Sequence, residues 1–242
     1  MKHDKGVTHI ILNPLHIRNS LFAIIALLVS MSLVAHVLRF GYGLEVASSF
    51  VTFFDLNQES NLPTWFSVML MVACAIHLAL IAAMKVATSD HWSLHWTVLA
   101  ILFLLMSMDE FIQIHERFIQ PLRDAFGLSG LMTNAWVLLA FPFLAVMAVF
   151  YFRFLRALPS RTARLVVIAG IVYVSGVAGV EMFSGLMKSE LGIDSLGFTI
   201  STTLEETLEM SGMALFIYAL EDYITRQRLQ WQLSLNYTDR PE

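Results

Sequence analysis

Residues 63–87 read PTWFSVMLMVACAIHLALIAAMKVA and carry one formal charge, on Lys85. An apolar stretch of about 20 residues is long enough for an α-helix to cross the hydrocarbon core of a bilayer. Several other stretches of the 242-residue chain are similar, and 57% of all residues are hydrophobic while 14% are charged. These apolar runs are continuous and do not alternate with polar residues, which excludes a membrane β-barrel. The sequence therefore predicts an all-α, polytopic membrane helix bundle.

Six transmembrane helices are predicted, separated by prolines and polar turns. Asn61 and Pro63 resemble a helix N-cap followed by proline in the first turn. The predicted spans cover approximately residues 19–40, 63–87, 94–118, 131–157, 163–188 and 198–222. This arrangement gives an N-terminal segment 1–18, a transmembrane domain 19–222 and a C-terminal tail 223–242.

The distribution of Lys and Arg predicts the orientation. With six spans, eleven of these residues fall on the side of the two termini and four on the other. Positive side chains are enriched on the cytoplasmic side of membrane proteins. Both termini are therefore predicted to be cytoplasmic, and a bacterial inner membrane is the simplest location for this multi-pass chain.

The sixth span contains three acids, in the sequence TTLEETLEM of residues 202–210. Counted at about 1.5 Å per residue from the cytoplasmic helix ends, Asp109, Glu181 and Glu206 lie at roughly 22–26 Å. His36 of the first span reaches about the same level. Charges facing lipid are costly, so these side chains are predicted to point into the bundle or a water-filled cavity.

Clustered acids need shared protons, basic partners or metal cations. Few bases are predicted at this depth, which favours a metal, as one or two divalent ions. Carboxylates with imidazole suit iron, zinc or manganese, carboxylates alone suit calcium or magnesium, and nearby methionines leave copper open. The candidate metal ligands are Asp109, His115, Glu116, Glu181, Glu206, Glu209 and His36.

Residues 107–118, SMDEFIQIHERF, end the predicted third span. On a continuous helix Asp109, Gln113 and Glu116 form one stripe, with Glu110 and His115 on its two flanks. The Glu-x-x-His pattern of four-helix di-iron proteins is absent. Glu110 or Glu205 is the candidate general base of a hydrolytic reaction.

Two further features concern the surroundings of these acids. The loop FDLNQESNLPTWFS, residues 54–67, is either a lid over the site, with Asp55, Asn57 or Glu59 contributing, or a turn with an N-cap. Gly176 and Gly179, and Gly212 in the sixth span, are predicted to allow close helix approach.

Four stretches occur together: FDLNQESNLPTWFS, DEFIQIHE, GVEMFSG and EETLEMSGMALFIYAL. As a set they resemble an uncharacterised family of bacterial six-span integral membrane proteins, over most of residues 50–222. The resemblance implies that these stretches belong to one structural unit, and it implies no biochemical function.

Three functions fit these patterns. The first is a metal-binding membrane protein whose site opens toward the periplasm, with enzymatic activity on a lipid or another apolar substrate. The second is a cation or proton-coupled transporter, which would need a polar path through the largely apolar cytoplasmic halves of the spans. The third is a non-catalytic subunit of a larger membrane complex. Membrane lipid is the expected partner, a homo-oligomer or a larger membrane complex is the alternative assembly, and no basic cluster indicates nucleic acid.

Overall fold

The computed structural model describes residues 13–43 and 49–227, and within these ranges the chain is helical with no β-strand. A 3-10 turn covers Gly130–Met132, and a π-helical turn covers Ser175–Val180. The α-helices are α1 (Pro14–Tyr42), α2 (Ser49–Phe54), α3 (Leu62–Ala87), α4 (Ser93–Ile112), α5 (Ile114–Phe126), α6 (Val137–Ala157), α7 (Ser160–Val174), α8 (Glu181–Leu191) and α9 (Leu196–Arg226).

Five helical segments are long and apolar enough to cross a membrane, so the chain has the character of a membrane protein. They are Pro14–Tyr42, Leu62–Ala87, Ser93–Ile112, Val137–Ala157 and Ser160–Leu191, the last formed by α7, the π-helical turn and α8. The predicted sixth span corresponds to α9, which has 31 residues but is not among the five. Its acidic residues lower its mean hydropathy, so its place in a membrane depends on its packing.

The centre of the bundle is α9, which packs against α1, α3, α7 and α8. Met210, Met213 and Leu220 of α9 are buried, and they belong to one apolar core with Cys74 and Leu78 of α3. A helix surrounded in this way meets protein along much of its length. This position explains how α9 carries acids without exposing all of them to lipid.

The two ends of the bundle differ in their connections. One end, which we call the acid end because α4 reaches Asp109 and α8 starts at Glu181 there, holds α2, the loop 55–61, α5 and the 3-10 turn. The opposite end, which we call the far end, holds the turns 88–92 and 158–159. The predicted helix limits are approximate, since α1 begins at Pro14 and α9 continues to Arg226. The predicted terminal segments fall largely on residues 1–12 and 228–242, which lie outside the described residues.

Polar pairs occupy the far end between α3, α7 and α9. His77 Nε2 lies 2.6 Å from Glu221 Oε1, and His77 Nδ1 lies 2.7 Å from the carbonyl oxygen of Ala73. Asp222 pairs with Arg161 at 3.0 Å and with Arg226 at 2.8 Å. These contacts tie α9 to α3 and α7.

The start of α3 confirms the predicted N-cap. Asn61 Oδ1 accepts hydrogen bonds from the Thr64 backbone N–H at 3.2 Å and from the Thr64 hydroxyl at 3.1 Å, and Pro63 lies in the first turn. The Asn61 amide also donates to the carbonyl oxygen of Asp55 at 2.7 Å. One side chain therefore caps α3 and fixes the loop before it.

Replacement of Asn61 by Ala should destabilise the protein by about 1–2 kcal/mol, because it removes the cap and leaves backbone groups unpaired. The measurement is thermal unfolding in detergent, compared with Asn61→Asp. Aspartate retains the cap acceptor but loses the amide donor, so we expect a smaller loss. Equal stability of Asn61→Ala and wild type would contradict this role.

Candidate carboxylate site

The predicted third span does not continue as one helix, and the prediction of a continuous stripe was wrong. α4 ends at Ile112, Gln113 adopts a left-handed conformation with φ of 58°, and α5 starts at Ile114. Asp109 stabilises this break: Oδ1 accepts the backbone N–H of His115 at 2.9 Å, and Oδ2 lies 2.9 Å from His115 Nδ1. The break places the His115 ring beside the Asp109 carboxylate. On a continuous helix His115 would instead lie on one flank of the predicted stripe.

Glu181 is positioned by the π-helical turn that precedes it, a feature that is frequent at functional sites. Its side chain is 8% exposed, and its Oε1 accepts a hydrogen bond from Trp136 Nε1 at 2.6 Å. Asn134 donates to the Glu181 carbonyl oxygen at 3.2 Å. The segment before α6 therefore orients this acid.

Ser184, one turn further along α8, connects Glu181 to α9. Its hydroxyl lies 2.9 Å from the Glu181 carbonyl oxygen and 2.8 Å from Glu205 Oε2. Lys188, one more turn along, lines the same cavity as Glu205. The hydrogen bond from Ser184 of α8 therefore orients the Glu205 side chain.

Close approach of α7 and α9 depends on two of the three predicted glycines. A Cβ atom at Gly176 would lie 2.9 Å from the Glu205 carbonyl oxygen, and one at Gly212 would lie 2.7 Å from the Tyr173 backbone nitrogen. A Cβ atom at Gly179 would meet nothing within 4 Å, so the prediction for Gly179 was wrong. Gly176 lies in the π-helical turn and faces α9.

These elements surround one cavity of about 900 Å³, and acids are concentrated at one end of it. Its acidic lining residues are Glu59, Asp109, Glu110, Glu116, Glu181, Glu205, Glu206 and Glu209. The basic residues in the same lining are His115 and Lys188. The cavity lining therefore contains eight acidic and two basic side chains.

The acids influence one another across helices. Glu206 lies within electrostatic range of Glu110 of α4, Glu181 of α8 and Glu59 of the loop. Glu209 is similarly close to Glu206 and Glu110. Carboxylates that are distant in sequence therefore share one electrostatic environment.

The loop before α3 contributes to this environment. Leu56, Asn57, Gln58 and Glu59 line the cavity. Burial, together with the charges of Glu116 and Glu110, raises the pKa of Glu59 to about 7, and its Oε2 atom is buried without a hydrogen-bond partner. The loop is therefore a wall of the cavity as well as the N-cap of α3.

His115 is a counter-charge in this structure. Burial acts against its protonation, but its hydrogen bond to Asp109 and the charges of Asp109, Glu181 and Glu116 outweigh that effect and raise its pKa to about 9. A protonated imidazole has no free lone pair, so His115 must lose a proton before it binds a metal.

His36 lies apart from the other candidate ligands. Its Nε2 is 3.3 Å from Ser32 Oγ and 3.4 Å from Asp55 Oδ1, and its Nδ1 is buried without a partner. It lines a different groove, between α1 and α9, together with Thr199. Asp55 also faces this side and does not line the carboxylate cavity.

The structure thus brings together Asp109, His115, Glu116, Glu181, Glu206 and Glu209, with the base candidates Glu110 and Glu205. Across residues 13–43 and 49–227, no three His, Cys, Asp or Glu side chains are grouped so as to hold a metal ion as they stand. Trp136 and Ser184 were not predicted to contact the acids, since an interfacial tryptophan and a helical serine are common in membrane proteins.

Comparison with known proteins gives a family. A domain of unknown function, DUF8692, matches residues 21–222. The chain belongs to this family. The matched region includes α9 as far as Asp222 and every acid of the cavity, so the domain covers the whole carboxylate site. No curated protein and no solved structure matches the chain.

Proposed function

We propose that this DUF8692 protein is a metal-dependent membrane enzyme that acts on a lipid or another apolar substrate. The proposed arrangement is six spans in a bacterial inner membrane, with both termini in the cytoplasm and the acid end toward the periplasm. The observation that carries the proposal is the excess of eight acids over two bases around one cavity. Such an excess needs protons or cations to offset it.

The proposed ligands are Asp109, Glu116, Glu181, Glu206 and Glu209, joined by His115 once it is deprotonated. These would hold one or two divalent ions, with iron, zinc or manganese favoured and calcium or copper as alternatives. Binding would require the side chains to move closer together. We do not include His36, because it faces a different groove.

The metal would supply Lewis acidity, an activated water or, as iron, oxygen chemistry. Glu110 or Glu205 would accept the proton in a hydrolytic reaction. Glu205 already accepts a hydrogen bond from Ser184, and Lys188 lines the same cavity. Glu110 lies next to Asp109 at the end of α4, within electrostatic range of His115.

Transport of a cation or proton is the second candidate. A polar path would have to continue from the acids to the far end, but the cavity lining there is apolar, including Leu155, Val166 and Phe216. The pair of His77 and Glu221 does not line this cavity. A role as a subunit of a larger complex is the third candidate, and co-purification with other chains would favour it.

The test is elemental analysis of the full-length protein, purified in detergent, for wild type and Glu206→Gln/Glu209→Gln. We expect about one or two metal ions per wild-type chain and at least a tenfold loss of metal in the variant, because removing even a group that orients a metal ligand commonly lowers affinity about 10–100-fold. The matched control is Asp124→Asn/Glu190→Gln, which removes two exposed acids outside the cavity and should retain the metal.

Two results would contradict the proposal. Metal that persists in Glu206→Gln/Glu209→Gln would exclude these residues as ligands. Wild-type protein that contains no metal and takes up protons in sealed vesicles would favour transport.

A further inference from the structure

The cavity extends far beyond its acids, and the extension is an apolar slot. The slot is lined by residues 99–106 of α4, 139–155 of α6, 166–177 of α7 and the adjoining helix, and 212–216 of α9. From Val166 in the slot to Glu181 at the acid end the lining rises through 15 residue steps, which is about 22 Å at 1.5 Å per step. One leaflet occupies about half of a 30 Å hydrocarbon core, so the slot is at least as long as an acyl chain.

Aromatic side chains close the far end of the slot. Phe154 is 1% exposed and Tyr151 is 7% exposed, and both line the cavity. The Tyr151 hydroxyl donates to the His95 carbonyl oxygen at 2.9 Å, and the His95 ring stacks on Phe154 with 5.3 Å between centroids. This packed aromatic floor gives the slot a fixed length.

The slot is accessible from the side, between α4 and α6. At the acid end the ring of His115, in α5, lies 5.0 Å from the ring of Trp136, the residue before α6. At the far end His95 of α4 stacks on Phe150 of α6, with 4.6 Å between the ring centroids. Between these contacts α4 and α6 are not closely packed within the described chain, and the lining residues Leu139 and Phe143 are about half exposed. A chain in the bilayer can therefore reach the slot laterally.

An apolar space of this size requires an apolar occupant. Protein interiors contain few voids larger than a water molecule, and water in a cavity needs several polar partners. The slot offers such partners at its acid end but not along its length. A hydrocarbon chain from the membrane would fill this space and needs no polar partners along it.

We propose that the slot binds the hydrocarbon tail of an amphiphilic lipid, with the polar group at the carboxylates and the tail end on the floor of Tyr151 and Phe154. The floor then selects tail length. This inference names the substrate class of the proposed enzyme and rests on that function for the chemistry at the acid end.

Gly170 provides the sharpest test. It lines the slot on α7, one turn from Val166, and a Cβ atom there would meet nothing within 4 Å. A phenylalanine at this position would fill the space above the floor and shorten the slot by about 6 Å, or four residues of helical rise. The matched control is Ile171→Phe, since Ile171 is the next residue, is 63% exposed and does not line the cavity.

The probe is a series of 1-monoacylglycerols with tails of about 12 to 18 carbons, long enough to compare with one leaflet. Binding to the purified full-length protein would be measured by native mass spectrometry. Each buried methylene contributes about 0.8 kcal/mol, or roughly fourfold in affinity, so wild type should prefer the longest tails. Gly170→Phe should lower affinity for the longest tail at least about tenfold and change the shortest about twofold or less. Ile171→Phe should match wild type.

A second variant, Met147→Trp, narrows the slot from α6 and keeps the test valid if Gly170→Phe does not fold. If either variant folds and binds the longest tail with the same affinity as wild type, the inference is overturned. The same series in Glu206→Gln/Glu209→Gln separates the two proposals. An unchanged tail-length profile together with metal-free wild type would contradict the metal site and leave the tail slot supported.

Discussion

Replacement of His77 by Phe should lower the free energy of unfolding by about 3 kcal/mol, because it leaves a buried carboxylate without its partner. Glu221 is 8% exposed, and its Oε1 lies 2.6 Å from His77 Nε2. The cost comes from the unpaired charge more than from the loss of packing, since phenylalanine fills a similar volume. The measurement is unfolding by a denaturing detergent, followed by helical circular dichroism.

The double variant His77→Phe/Glu221→Leu is the decisive comparison. Replacing both members of a buried pair by apolar residues is often neutral or stabilising. We therefore expect the double variant to recover to within about 1 kcal/mol of wild type, with an interaction energy obtained from the full cycle. Glu221→Leu alone should cost less than His77→Phe, because a neutral imidazole can keep its hydrogen bond to the Ala73 carbonyl oxygen. A double variant whose loss of stability equals the sum of the two single losses would show that the pair is not coupled.

Composition and hydropathy were sufficient to predict the helical class and the membrane character. Long apolar runs determine both, and five such helices are present in the structure. The capping residue Asn61 was also predictable, because an N-cap depends on a few neighbouring residues. The break at Gln113 was not, since a positive φ at a glutamine depends on Asp109 binding the backbone N–H of His115.

Counting helical rise grouped acids that line one cavity, but it did not predict the direction in which each side chain points. Asp109, Glu181 and Glu206, which have similar calculated depths, all line one cavity. His36 has a similar calculated depth, yet its ring faces Ser32 and Asp55. Depth along a helix depends on sequence distance alone, whereas the direction depends on how α1 and α9 are rotated against their neighbours.

The apolar slot could not be predicted from the sequence either. Leu102, Phe143 and Met147 look like ordinary lipid-facing or core residues in a hydrophobic run. They form a cavity because α4 and α6 make few close contacts between two ring pairs, His95 with Phe150 at the far end and His115 with Trp136 at the acid end. Such a gap depends on packing geometry, for which local hydropathy gives no signal.

Replacement of Gly212 by Ala should destabilise the protein by about 3 kcal/mol, at the upper end of the range for overpacked sites. A Cβ atom at Gly212 would lie 2.7 Å from both the Cβ and the backbone nitrogen of Tyr173, and 2.8 Å from its Cα. Backbone atoms cannot move aside as a flexible side chain can, so α7 and α9 would have to separate. Tyr173 and Gly212 both line the cavity, so this separation would also widen the space beside Glu209.

Gly170→Ala is the matched control, because it is the same substitution in the interior of α7 at a position where a Cβ atom meets nothing within 4 Å. Reduced conformational freedom of the unfolded chain should make it neutral or stabilising by about 0.4–1 kcal/mol. Thermal unfolding of both variants is measured in the same detergent. If close contact between α7 and α9 holds the carboxylate site together, the two changes in stability relative to wild type will have opposite signs. If Gly212→Ala were as stable as Gly170→Ala, the helices would have room for a methyl group, and the close approach at Tyr173 would not constrain the positions of the α9 acids.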